Sequence, residues 1–176
     1  YNSTRKLVRQ AAEVYGPVYL RFTRDAIPQI YDEDVEFTIG KAHQIQDGKD
    51  VVIIANGDTV RLAIEAAKVL EGKGISARVL DMHTIKPIDA ACVTQWAEKC
   101  GNVVTVEEHS VIGGLGDAVA DVLMGIMAIL NLPVIVILAR PALAALKDYT
   151  TQKKQGKNPV FKAASIGLKE KTDYWN

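Results

Sequence analysis

A chain of 176 residues has room for one domain with a sizeable core and not for two large ones. Its 21 Lys+Arg balance 21 Asp+Glu, so no net field draws the whole molecule toward nucleic acid or an anionic membrane. The balance is uneven: from Pro141 onward seven lysines (147, 153, 154, 157, 162, 169, 171) stand against Asp148, Glu170 and Asp173, a +4 tail against −4 for the remainder, which reads as solvated basic surface because no aromatic interleaving accompanies it.

In chain order, residues 3–15 read as a helix with Leu7, Ala11 and Val14 on one side. Gly16-Pro17 leads into VYLRFTR (18–24), a strand ending at Arg24. Residues 25–37, with Pro28 and the acids Asp32, Glu33, Asp34 and Glu36, form a connector. One helix and one strand close no core of their own. The opening therefore reads as the end of another domain, with a complete domain from Thr38. From Val51 a βαβ rhythm sets in: VVIIANG, a helical period over 59–71 closed by Gly72 and Gly74, then SARVLDM. Asn56-Gly57-Asp58-Thr59 caps the first of these helices or offers polar contact to a ligand. The next helix is expected from Lys86-Pro87, with proline in its first turn, and carries Ile88, Cys92, Trp96 and Cys100 at i+4 steps up to Gly101.

NVVTVEEH then runs into a glycine turn, a helix over 115–130 and a strand PVIVILA over 133–139. The apolar run 122–139 is divided by Asn131-Leu132-Pro133, so it is expected to be a buried helix followed by a buried strand, with no membrane span. Near-continuous apolar strands imply parallel neighbours covered by helices on both faces. Cys92 and Cys100, about 12 Å apart along one helix, do not bridge. Unpaired thiols and a start without a signal-like apolar stretch point to the cytoplasm.

The stretch 103–116, VVTVEEHSVIGGLG, concentrates the chemistry. Glu107, Glu108 and His109 are adjacent, so alternate side chains diverge while the strand continues. A subset could form an acid/base group, or all could be solvated or bonded to loop backbone. Gly113, Gly114 and Gly116 match neither G-x-G-x-x-G nor the P-loop, and a tight turn needs glycine without any ligand. His43, His83 and His109 have no metal-ligand spacing. No G-x-S-x-G elbow is present, and Cys92 reads as core. Arg24 ends an apolar strand ahead of a turn, where a guanidinium suits a phosphate or carboxylate; an ion pair with Asp25 or Asp32 is the structural alternative.

GPVYLRFTRDAIPQI, the acidic connector, DVVIIANGDTVRLAIEAAKVLEGKGISARVLDMHTIKPID and VVTVEEHSVIGGLGDAVADVL together resemble the thiamine-diphosphate-dependent transketolase family, most closely the C-terminal half of the type encoded as two subunits. The resemblance covers residues 3–139 and implies a three-layer α/β/α domain with a mixed, mostly parallel five-stranded sheet whose antiparallel edge is residues 41–46. It divides the chain into residues 1–24, the last helix and strand of a pyrimidine-binding domain; 25–37, a linker; 38–140, the C-terminal domain; and 141–176, an unassigned basic tail. It implies that Arg24, in its L-x-R-x-x-x-P setting, helps hold the phosphate of a sugar substrate. Thiamine diphosphate and Mg²⁺ belong to the complete enzyme, bound by segments upstream of this one. The implied partners are an N-terminal thiamine-diphosphate-binding part or subunit, a second copy in a homodimer, and sugar phosphates; the chain alone is expected to be inactive. The E-E-H-S-x-x-G-G-L-G turn marks the domain and carries no catalytic role onto Glu107, Glu108 or His109. Similar stretches occur in deoxyxylulose-phosphate synthases and 2-oxo-acid dehydrogenase β subunits. A non-catalytic dimerisation or regulatory module and a nucleotide-binding domain are the readings from other classes.

Overall fold

The computed structural model describes residues 1–24, 27–110 and 112–167. It divides into two compact units, Tyr1–Met124 and Gly125–Asn176.

In the first unit the apolar runs become strands because each has a neighbour to complete its ladder. Strand β1 is His43–Gln46, β2 Val51–Ala55, β3 Ala77–Asp81 and β4 Val103–Val106. Their order across the sheet is β1-β3-β2-β4. Strands β3, β2 and β4 are parallel, and β1 pairs antiparallel with β3, its register shifting between Gln44 and Gln46. The antiparallel edge is thus where the sequence places it. The sheet has four strands among the described residues where five were expected.

Side-chain alternation sorts the strands between two cores. Val52, Ile54, Leu80 and Met82 face one way, onto Val93 and Cys100 of helix α3 (Ala90–Cys100) and Leu115 and Val119 of helix α4 (Leu115–Lys154). Ile53, Ala55, Ala77 and Val79 face the other, onto Val60, Ala63 and Ala67 of helix α2 (Thr59–Glu71). Small alanines at successive turns bring α2 close to the sheet. This is the three-layer α/β/α arrangement.

Helix α3 starts later than its sequence suggests. Lys86-Pro87 is a cis peptide in the preceding turn, and Asp89 is the cap, its carboxylate accepting from Cys92 N at 3.1 Å. Asp89 also accepts from Ala42 N at 3.2 Å, tying this cap to the entry of β1. Gly101 ends the helix in the left-handed region, φ 70°, which costs a residue without Cβ little.

The opening helix, α1, is Asn2–Glu13. Three polar side chains at a spacing of four, Asn2, Lys6 and Gln10, fasten it to the connector: Asn2 Nδ2 donates to Tyr31 O (3.1 Å), Lys6 Nζ to Val35 O (2.7 Å) and Gln10 Nε2 to Phe37 O (2.5 Å). Gln10 Oε1 in turn accepts from Ile39 N at 3.0 Å. Residues 18–24, expected as a strand, have no regular structure. A strand requires a ladder partner, and none of the described residues supplies one, so Tyr19 and Phe22 stand exposed.

The second departure is larger. Residues 133–139 are not a strand: α4 continues without a break through Pro133 and Pro141 to Lys154. Nor is the run 122–139 buried, since from Met124 onward it is exposed apart from Ile126 and Ala139. After α4, Gly156 reverses the chain and the Gln152 amide clasps Val160, accepting from its N–H at 2.9 Å and donating to its carbonyl at 3.1 Å. A 3₁₀ turn, Ala163–Ile166, follows.

Candidate functional site

The 103–116 stretch is a corner closed upon itself. Glu107, just past β4, turns its carboxylate onto the first turn of α4, where Leu115 N donates to Oε2 at 2.7 Å and Gly116 N to Oε1 at 2.9 Å. Asp117 Oδ2 accepts from Gly113 N at 2.9 Å. A helix start presents unpaired N–H groups and the positive end of the helix dipole, which together attract an anion. Here the chain provides that anion. Gly114 allows it: a Cβ on this buried glycine would collide with the Glu107 carboxylate. Glu108 and His109 are exposed, with His109 Nδ1 3.0 Å from Ser110 O. The three residues therefore do not converge into an acid/base group. Val111, in the middle of this motif, lies outside the described residues.

The neighbouring β2–α2 corner is held differently from the expected cap. Asp58 stands at the cap position without a side-chain bond. The Thr59 hydroxyl instead lies 2.8 Å from Asn56 O and 2.7 Å from Val106 O, pinning the turn to the end of β4.

Arg24 is exposed, in the irregular segment ahead of the connector. Among the described residues it has no ion pair or hydrogen bond, Asp32 included. Asp25, the other acid considered as its partner, lies outside them.

A buried polar cluster at the carboxyl end of β3 escapes a reading by motif. The connector folds back so that Tyr31 and Phe37 pack edge-on, ring centres 4.9 Å apart, with His43 of β1 5.3 and 5.2 Å away and His83 5.7 Å from Phe37. Tyr31 Oη donates to Asp81 Oδ2 at 2.6 Å. Asp81 is buried, and its Oδ1 and His83 Nε2 have no hydrogen-bond partner among the described residues. Burial pushes the Asp81 carboxyl up from 3.8 to about 6, against the lowering effect of the Tyr31 hydrogen bond. Burial, and then the nearby His43, hold His83 down at about 4. Burial likewise lowers His43, and burial with the adjacent Asp81 raises Tyr31 far above the ordinary phenol. The cluster fastens the connector to the sheet. Its signal in the sequence is an aspartate closing the buried run SARVLDM.

Arg78 of the same run is also buried. It pairs with Gln44 and Asp47 and lies 3.2 Å from the centre of the Trp96 ring. A guanidinium so occupied serves packing, by ion pairing and cation–π contact. Among the described residues no three His, Cys, Asp or Glu side chains gather closely enough to hold a metal ion.

Comparison with known proteins places this geometry. The profile of the family "Transketolase, C-terminal domain" matches residues 40–153. A subunit of the apulose-4-phosphate transketolase of Phocaeicola vulgatus is 49% identical over 121 residues, 68% of this chain and 39% of that protein. The 6-deoxy-6-sulfo-D-fructose transketolase subunit SqwH of Clostridium sp. is 50% identical over 108 residues, 61% of this chain and 34% of its own length. Among solved structures, a split-gene transketolase described as an inactive beta4 tetramer superposes with TM-score 0.69 at 49% identity, over 70% of this chain and 41% of the other. The chain thus spans about two-fifths of the length of the first curated relative, 39%.

Proposed function

The chain belongs to the transketolase family through its C-terminal domain, and from that premise we propose that it is the C-terminal part of a two-part enzyme that moves a two-carbon ketol unit between sugar phosphates. The observation that carries this reading is the family match over residues 40–153, shared with relatives named as transketolase subunits; the closure of the β4–α4 corner on Glu107 bears on which part of the enzyme this chain supplies. The turn best suited to a phosphate is filled by the chain's own carboxylate, so the α/β unit contributes scaffold, not reacting groups. Thiamine diphosphate does not fit there either: its diphosphate would compete for the same N–H groups against a fixed negative charge. No step of the reaction is assigned to these residues. The cofactor with its Mg²⁺ is proposed to reside on an N-terminal partner subunit, and the assembled enzyme to be a dimer of such pairs.

What remains for this chain to offer the substrate is Arg24, exposed and unpaired among the described residues. The two relatives act, by their names, on a sugar phosphate and a sulfonated sugar. Both substrates end in an anion of the kind a guanidinium holds. The test combines the chain with an N-terminal transketolase subunit, thiamine diphosphate and Mg²⁺. Ketol transfer from xylulose 5-phosphate to ribose 5-phosphate is assayed beside the apulose and sulfofructose substrates, and beside pyruvate with glyceraldehyde 3-phosphate for the synthase alternative. Turnover with both subunits and none with either alone supports the proposal; turnover by the chain alone overturns it. Arg24→Gln removes one charge-assisted contact, about 1.5–3 kcal/mol, and raises KM for the anionic sugar roughly 10- to 100-fold with kcat within a few-fold. An unchanged KM removes Arg24 from the site.

A further inference from the structure

Charge divides this chain along the same line as its fold. The unit Gly125–Asn176 holds eight Lys and Arg against three Asp and Glu, a charge of +5, and the first unit carries the opposite −5. A separation of sign on that scale is a property of surfaces that meet a charged partner. The lysines gather where the family match stops, at residue 153.

The end of α4 sorts these charges by side. At about 100° per residue, Tyr149, Lys153, Thr150, Lys154, Lys147 and Thr151 follow one another around about half of the helix, with no acid among them. The one acid of this stretch, Asp148, is turned to the other side, where its Oδ2 accepts from Gln152 Nε2 at 2.8 Å. Gln152 in turn clasps Val160 of the returning segment. Gly156, at φ 72°, reverses the chain, and Lys157 N donates to Gln152 O at 3.2 Å. A fourth lysine is thereby held beside the helix end.

Lys147, Lys153, Lys154 and Lys157 are all exposed, and none has an ion pair among the described residues. Lys153 and Lys154 complement the negative end of the helix dipole, which accounts for two of the four. Lys147 and Lys154, seven residues apart, are separated by about 10 Å along the axis, the rise of about three phosphates on one strand. The sequence shows the lysines without aromatic interleaving, yet the helix supplies one. Tyr149 lies one turn before Lys153, whose Nζ is 5.6 Å from the centre of its ring, and the ring is 46% exposed. An exposed aromatic beside lysines is the pairing that single strands use: bases stack on the ring while phosphates follow the charge.

We propose that the hairpin of residues 147–157 binds single-stranded nucleic acid, its lysines along the phosphates and Tyr149 against a base. The proposal is independent of the enzymatic reading, because its readout is binding, not turnover.

The test measures fluorescence anisotropy of a labelled oligothymidylate of about 15 nucleotides with the full chain. Four phosphate contacts predict that affinity falls roughly 50-fold between about 50 and 200 mM salt. Lys147→Gln with Lys154→Gln should halve the slope of that dependence on a logarithmic plot. Tyr149→Ala should weaken binding roughly 10-fold or more, and Tyr149→Phe should keep it. Lys68→Gln, on α2 of the other unit, removes the same charge and leaves binding unchanged. Far-UV circular dichroism, to which the 40 residues of α4 contribute most, verifies that each variant is folded. Four results overturn the proposal. They are no binding at 50 mM salt; equal weakening by Lys68→Gln, meaning attraction by net charge alone; inorganic polyphosphate bound as tightly as the oligonucleotide with Tyr149→Ala unchanged, meaning a general polyanion surface; and binding to phosphatidylglycerol vesicles in place of the oligonucleotide.

Discussion

Asp81 and His83 sit two residues apart in the same buried cluster, and their effects on stability run in opposite directions with pH. Asp81 is raised from 3.8 to about 6 in the folded chain. A carboxyl raised on folding stabilises fully below its unfolded value and loses that contribution as pH rises through the folded one. For Asp81 the loss runs from about pH 4 to pH 6 and amounts to about 3 kcal/mol. His83 is lowered from 6.5 to about 4. Its contribution is complete above the unfolded value and disappears as pH falls toward 4. The pKa difference alone gives about 3 kcal/mol, discounted to about 2 because the ring is partly accessible to solvent. His43, lowered by burial, acts in the same sense as His83. The opposing slopes leave the intact chain with nearly flat stability between pH 4 and 6. Asp81→Asn removes one slope, so stability then rises by about 2 kcal/mol from pH 4 to 6.5. His83→Gln removes the other, so stability falls with pH over the same window, less what His43 offsets. Urea unfolding of the full chain carrying Trp175→Phe, so that Trp96 is the one tryptophan left to report, followed by fluorescence at several pH values, measures both. The slope is the readout, since either substitution also changes the level. If both variants show the flat profile of the parent, the two groups are not linked to folding as argued.

Tyr31→Phe takes from Asp81 Oδ2 its hydrogen bond, and Oδ1 has none among the described residues; a cost of about 1–3 kcal/mol is expected above pH 6. The same urea midpoints should show a smaller loss at pH 4, where the acid is neutral, and equal losses at both pH values would contradict the reading. Cys92 is pushed up by burial and then by Asp89, so iodoacetamide should label it in the folded chain at least about tenfold more slowly at neutral pH than in urea. Comparable rates would show that the α3 face opens readily.

What was legible in the sequence and what was not divides by physical range. Val51–Ala55 and Ala77–Asp81 read as parallel strands because a strand covered on both faces is a near-continuous apolar run, broken in the second only by Arg78 and Asp81, and the helix between them has its own period and stops. The corner at 103–116 was legible as a corner, since glycines and a strand end are local signals. The errors at 18–24 and 133–139 share one cause. Both runs are rich in β-branched or aromatic residues, but β-propensity expresses fit to a neighbouring strand, which a sequence window does not contain. At 133–139 the apolar run joins the preceding helix instead, and the β-branched residues continue it. The Tyr31–Asp81 bond joins residues 50 apart, beyond any spacing rule. Its only trace was a charge inside a buried run, which demands a partner without naming it.

The Glu107 corner permits a stricter test of why this unit is a scaffold. If the carboxylate is an internal stand-in for an anion at the start of α4, then Glu107→Ala should do two separable things. It should cost about 2–4 kcal/mol, because two charge-assisted hydrogen bonds are lost and Leu115 N and Gly116 N are left without acceptors. It should also create a phosphate site, since the helix start keeps its N–H groups and its dipole. A weak site with Kd about 10 mM would return about 1.4 kcal/mol at about 100 mM phosphate, seen as a phosphate-dependent rise in urea midpoint that the parent lacks. Adding Gly114→Ala distinguishes this from a general salt effect. The new methyl occupies the space now held by Glu107 Oε2, so the double variant should lose the phosphate response while keeping its response to chloride. If the single variant gains no phosphate dependence, the N–H groups of this turn do not form an anion site. Glu107 would then be only a stabilising cap, and the corner would never have been open to a ligand on any sequence.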